Sequence, residues 1–380
     1  MTPRSFTRAC AAALVLVLPV AASTPPAAAE EPWGGDPSVT GTHVEVGSSE
    51  CGAGWGGGAA GPTTFALWNN APFSLEVYLQ EPSSGRIYLD VEYLGVGATR
   101  SVTVTLAPGR YRFVCAATEL DPVGGATVDV TGTYDGPTTP GVLPVTTDDL
   151  TVPILRYQRW VRSRLPALSR QVTRLATDLH HGRVGDAKRD WLTAHLTYET
   201  LGAAYDAFGD YDQEDAFGQI EGMLWHGRAA RAIYPHAKQM IAGVARLRAD
   251  FGTRLAMAPI DMGLRAHEIL ENALQFELTG TSDHGSHTEL ATIDANIDGT
   301  RKALAVLRGV LVPRDPDLPA TNRWLDRLQR LVRSHHTKKG WTPLGRLSDA
   351  ERQQLNATMS QTLEYLSEVA VITDPVRPMP

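Results

Sequence analysis

A two-domain chain is predicted, an all-β sandwich followed by an all-α helical bundle, and three observations predict it. Residues 43–133 carry short runs with period-2 alternation, separated by Gly, Pro and Asn turns. Beyond residue 151 the apolar residues recur at helical spacing. Between the two lies a stretch of Gly, Pro and Thr without apolar periodicity. The 380 residues are enough for more than one core.

The first 29 residues read as a secretory signal peptide. Arg4 and Arg8 form a positive n-region, Ala11 to Ala22 an apolar core, and Ala27-Ala28-Ala29 a small-residue cleavage site. Cleavage near Ala29 would leave an exported protein. Cys10 precedes the apolar run, where no lipoprotein cysteine would sit, and it leaves with the leader. Cys51 and Cys115 remain, and two cysteines in an oxidising compartment point to a disulfide. The whole chain carries 35 basic and 42 acidic residues, a net charge of −7, and losing two Arg makes the mature net charge −9. With no long Lys/Arg block, that balance argues against nucleic acid as a partner.

Residues 30–42 are a Pro/Gly/Ser tether. The sandwich of residues 43–133 then runs through His43-Val44-Glu45-Val46 and Thr64 to Trp68. Leu75 to Leu79, Ser101 to Leu106, Tyr111 to Cys115 and Ala126 to Val130 follow, with turns at Asn69-Asn70-Ala71-Pro72 and Pro108-Gly109. A blue-copper centre needs two His, a Cys and usually a Met. This segment holds one His, His43, and no Met, so no type-1 copper centre is expected. The residues leave two roles for its cysteines: a staple, or a thiolate site with carboxylates such as Glu76 or Glu119.

Residues 134–150 are a linker, and the bundle spans 151–373. Its helices are expected from Ile154 to Leu179, Asp186 to Phe208, Gln213 to Tyr234, Ala237 to Phe251, Asp261 to Leu278, His287 to Leu311, Pro319 to Arg333 and Ser348 to Val371, with no hairpin among them. Asp186 and Asp261 are expected caps, and Ser348 with Glu351 forms a capping box. His195 and Glu199 stand at i,i+4, and His267 and Glu271 repeat that spacing. Each pair therefore shares one helix face. Glu221 interrupts an apolar stretch, Ile220 to Trp225, where a carboxylate needs a partner. Imidazoles and carboxylates projecting inward from several helices are how a bundle builds a metal site, although a single His/Glu pair is also an ordinary surface feature.

Residues 154–312 resemble the imelysin-like, M75-type helical domain of the EfeO-type family of bacterial iron uptake. Asp190-Trp191-Leu192, Tyr198-Glu199, Ala207-Phe208-Gly209-Asp210, Ile220-Glu221 and Leu224-Trp225 carry the likeness. Ser286-His287-Thr288-Glu289-Leu290 and Ala295-Asn296-Ile297-Asp298-Gly299 complete it. Asn69-Asn70, Pro108-Gly109 and Tyr111 to Cys115 resemble the cupredoxin-like domain that precedes this bundle in the family. The resemblance implies a cell-envelope protein that binds iron, or zinc in its place, and serves an uptake system with a membrane permease and a haem peroxidase. It implies metal ligands at Glu199, Glu221 and Glu271, with His195, His226 or His267 supplying imidazole. The family's His-x-x-Glu motif has Glu221 here, but Gly218 stands where its His would be. Phe113 stands two residues before the second Cys, where a Met is expected. Two further readings stay open, a binding module that has lost its metal and a metal-dependent peptidase. The zinc-protease pattern His-Glu-x-x-His begins at His267-Glu268 but meets Glu271 where the second His belongs.

Overall fold

The computed structural model describes residues 33–117 and 120–376. The expected signal peptide and Glu119 lie outside these residues. Among the described residues, eleven strands precede the first helix: β1 (Thr42–Val46), β2 (Cys51–Ala53), β3 (Gly58–Ala59), β4 (Gly61–Asn69), β5 (Leu75–Gln80), β6 (Ile87–Leu94), β7 (Thr99–Leu106), β8 (Gly109–Ala116), β9 (Val123–Gly124), β10 (Val128–Thr131) and β11 (Val145–Thr146). Among the described residues, β1–β10 form two sheets, one ordered β2-β1-β4-β7 and one ordered β3-β10-β8-β5-β6 with β9 on β8. β1 runs parallel to β4, and β4 antiparallel to β7.

Alternation along these strands turns Val44, Phe65, Leu67, Val77, Leu79, Leu106 and Phe113 inward to a common core. Trp55, Phe65 and Phe113 meet edge-to-face there, with centroids 5.0–5.5 Å apart. Phe113, at the position where the family resemblance led us to expect a Met, is thus a packing residue. Cys51 and Cys115 are disulfide-bonded, so neither offers a thiolate. The bond joins β2 of one sheet to β8 of the other, because Cys51 lies in a strand and not in a loop. Its sequence separation of 64 implies about 4 kcal/mol of stabilisation from the restricted unfolded chain. A Cys51→Ala/Cys115→Ala variant is therefore expected to lose about that much stability. Urea unfolding followed by tryptophan fluorescence would measure the loss, and a loss under about 1 kcal/mol would show that the sheets hold together without the staple.

The helices are α1 (Thr147–His180), α2 (Val184–Glu199), α3 (Glu214–Trp225), α4 (Ala230–Asp250), α5 (Asp261–Asn272), α6 (Glu289–Leu311), α7 (Leu318–Ser334) and α8 (Asp349–Ile372). α1 packs on α2, α4 and α6, while α5 packs on α6 and α8. Thr146 and Asp149 cap α1 reciprocally, and Ser348 with Glu351 does the same for α8. The expected caps Asp186 and Asp261 instead sit in the first turns of α2 and α5, where their charge suits the helix dipole.

Several helix limits differ from the sequence expectation. The second expected helix stops at Glu199 and gives way to 3-10 turns over Gly202–Ala204 and Asp206–Tyr211. The third stops at Trp225, because Gly227 takes a left-handed φ of 72°. α4 then begins at Ala230 and runs through Pro235, so no break falls between Tyr234 and Ala237. Pro235 is the sixth residue of α4, so the helix forgoes one amide bond to the Arg231 carbonyl there and continues past it. α5 continues as a π-helical turn over Ala273–Glu277. A small antiparallel hairpin, β12 (His336–Thr337) with β13 (Gly340–Trp341), occupies a region where none was expected. A last strand, β14 (Pro375–Val376), pairs with β11. The Arg314 guanidinium donates to the carbonyls of Leu143 and Pro144, fastening the linker to the bundle. No helix among the described residues is long and apolar enough to cross a membrane.

Candidate metal-binding cleft

A cleft of about 1380 Å³ opens between α2, α3, α5, the start of α6 and the loop that precedes α6. His195, Glu199 and Glu221 all line it. His267 and Glu271 do not. Along α5 the lining residues are Arg265, Glu268, Ile269 and Asn272. His267 and Glu271 occupy a different stripe, where they pair with each other at 3.5 Å. The i,i+4 spacing was real for both pairs, and only the rotation of each helix about its axis separates their fates.

α2 is held against α3 by Trp191, whose Nε1 donates to the Phe217 carbonyl at 3.0 Å. Its ring stacks on His195, with centroids 4.8 Å apart. The His195 Nε2 lies 3.0 Å from Glu199 Oε1, while Asn296 of α6 donates to Glu199 Oε2 at 2.8 Å. The Ala295–Gly299 motif thus reaches the cleft through Asn296. Burial opposes charge on His195, but the Glu199 hydrogen bond and the charges of Glu199, Glu277 and Glu221 outweigh it and raise its pKa. Its Nδ1 is buried with no hydrogen-bond partner.

Glu221 finds the partners that its apolar surroundings demand in the loop after α5. Its Oε1 accepts from the amides of Ser286 at 2.9 Å and His284 at 3.2 Å. Burial raises its pKa, Ser286 works against that rise, and contact with Asp283 adds to it. A Cβ built on Gly218 would lie only 2.8 Å from His284 Nε2. The space beside α3 that a larger residue would fill is therefore taken by a histidine from another segment.

The cleft also gathers acids that were not among the expected ligands. Glu277, on the π-helical turn, accepts from Ser282 Oγ at 2.6 Å, and burial together with the nearby Glu199 pushes it up to about 7. Burial and Glu199 push Glu214 up to about 6. Glu289, which opens α6, is 5% exposed and raised mainly by burial, and its Oε2 has no hydrogen-bond partner. Among the lining bases, Arg265 is already paired with Asp206 and Glu268. The remaining lining holds Arg228 but is dominated by acids, Glu199, Glu214, Asp215, Glu221, Glu277, Asp283 and Glu289, which favours a cation. Glu289 belongs to the Ser286–Leu290 motif, so that motif could have signalled it. Glu214, Glu277 and His284 carried no such signal, because their role depends on which elements meet.

No family model matches the chain. The curated relatives include proteins named "Iron uptake system component EfeO" from Escherichia coli K12, Shigella flexneri and Escherichia coli O157:H7. Each is 23% identical over 328 residues, covering 82% of this chain and 85% of the relative. An alignment of that length exceeds residues 147–372, so the likeness reaches into the β part as well. The chain is a homologue of the EfeO-type iron uptake components over most of its length.

Proposed function

We propose that this protein is an exported, cell-envelope iron-binding component of an EfeO-type uptake system, with iron as its cargo held in the acidic cleft. The observation that carries the reading is the meeting of Glu199, Glu221, Glu277 and His195 around one cavity. Carboxylate oxygens suit ferric iron, imidazole suits either oxidation state, and zinc would also accept this donor set. The ligand atoms of these residues are not drawn around one point, so loading would turn the side chains inward.

On this reading the β part is a cupredoxin-like domain without a copper centre and the helical part an imelysin-like bundle. Removal of the signal peptide near Ala29 delivers both to the cell envelope. There the protein would pass its cargo to a membrane iron permease, with a haem peroxidase in the same system. It is a binding component in this reading and not a peptidase.

Glu221→Gln keeps an acceptor for the Ser286 amide but removes the charge. It is expected to weaken iron binding at least tenfold, about 1.4 kcal/mol, and Glu199→Gln to do the same. Equilibrium dialysis of the mature chain against iron would measure it. Wild-type affinity in both variants would defeat the site, and no iron in the wild type would defeat the function.

A further inference from the structure

The loop before α6 gathers a second donor set. Asp283, His287 and Glu289 each place one ligand atom within 4.8 Å of the other two. Among the described residues of the helical part, no other three His, Cys, Asp or Glu side chains come so close. The loop holds two of them firmly. Asp283 Oδ1 accepts from the His287 amide at 2.7 Å, and its Oδ2 lies 2.9 Å from His287 Nδ1. His287 has a left-handed φ of 57°, and its side chain is 60% exposed, so the group opens to solvent.

Glu289 supplies the independent sign of a missing ligand. It is 5% exposed, and its Oε2 is buried without any partner. Leaving a buried carboxylate oxygen unsatisfied is costly, unless a cation takes that place.

We propose that Asp283, His287 and Glu289 form a second cation site, at the mouth of the cleft, for a divalent first-row transition metal. Two carboxylate oxygens and one ring nitrogen are a mixed O/N donor set that such ions accept, with positions left open for water. The site is separate from the group around His195 and Glu199. Glu221 links the two, since it contacts Asp283 and the amides of His284 and Ser286.

Calorimetric titration of the mature chain with Zn²⁺ alone tests this. The wild type is expected to bind two ions. His287→Ala, at an exposed position, and Glu289→Gln, which keeps the shape of the side chain, are each expected to bind one, with circular dichroism unchanged. Glu199→Gln is expected to lose the other ion and keep this one. Two ions in both His287→Ala and Glu289→Gln, or a single wild-type ion that survives both substitutions, would overturn the second site while leaving the iron reading standing. A single wild-type ion that both rim substitutions abolish and Glu199→Gln spares would keep the rim site and overturn the inner one.

Discussion

Moving the metal-free protein from about pH 5 to about pH 8 is expected to lower its unfolding free energy, and adding a cation is expected to restore it. Glu277 is held up at about 7 and Glu214 at about 6, both above an ordinary glutamate at 4.5. Between the ordinary value and the raised one, the folded state binds more protons than the unfolded state, so stability falls as pH rises. His195 acts in the same direction. Its raised pKa gives stability that is complete below the unfolded value of 6.5 and is lost as pH rises through the folded value. In the β part, Asp90 is pushed up to about 7 by burial and by Glu76 and Glu92, and it adds to the same trend. Asp283 has the opposite sign. Burial works against its charge, but hydrogen bonds from the His287 amide, Glu221 and the Gly285 amide hold it below the usual range, so its contribution is lost only in stronger acid.

For Glu277 alone the effect has a ceiling of roughly 3 kcal/mol, and relaxation around the charge will reduce it. A bound cation supplies the missing positive charge and stabilises the charged form. Iron or zinc affinity should therefore rise with pH across the same window, with protons released on binding. Chemical denaturation at several pH values, with and without zinc, measures both effects. A flat profile between about pH 5 and pH 8 would show that the acids of the cleft are not crowded enough to hold their protons.

Trp191→Ala is expected to be the most destabilising single change in the cleft wall, by about 3–5 kcal/mol. The ring is 1% exposed and touches His195, Phe217 and Trp225. Its removal leaves a large cavity and takes the indole donor away from the Phe217 carbonyl. Trp191→Phe keeps most of the packing and loses only the indole donor, for about 1 kcal/mol. The larger change should also weaken metal binding, since Trp191 sets the ring of His195. Urea midpoints and zinc titrations on both variants decide the matter. A loss under about 1 kcal/mol in Trp191→Ala would mean that other contacts hold α2 against α3.

What was legible in the sequence was mostly local. The strand-like runs mark β1, β4, β5, β7, β8 and β10 but not β2, β3, β6 or β9, and the capping box at Ser348 marks the start of α8, because alternation and capping depend on residues a few positions apart. The end of α3 was missed, since the break was expected between Tyr234 and Ala237. The real stop was Gly227, where the backbone turns left-handed. The π-helical turn at Ala273–Glu277 carries Glu277 into the cleft, and nothing in the periodicity of α5 announces it.

By itself, the sequence determined the order of a β part before a helical part, the pairing of His195 with Glu199 and of His267 with Glu271, and the need of Glu221 for a partner. Those follow from helix geometry and from the cost of burying a charge, which any local stretch obeys. Only the tertiary structure decided that the first pair faces the cleft and the second does not. It alone brought Glu214, Glu277 and Glu289 to one lining, laid His284 beside Gly218, and joined Asp283 and His287 to Glu289. These depend on how each helix is rotated against neighbours many residues away, and packing fixes that rotation where sequence spacing cannot.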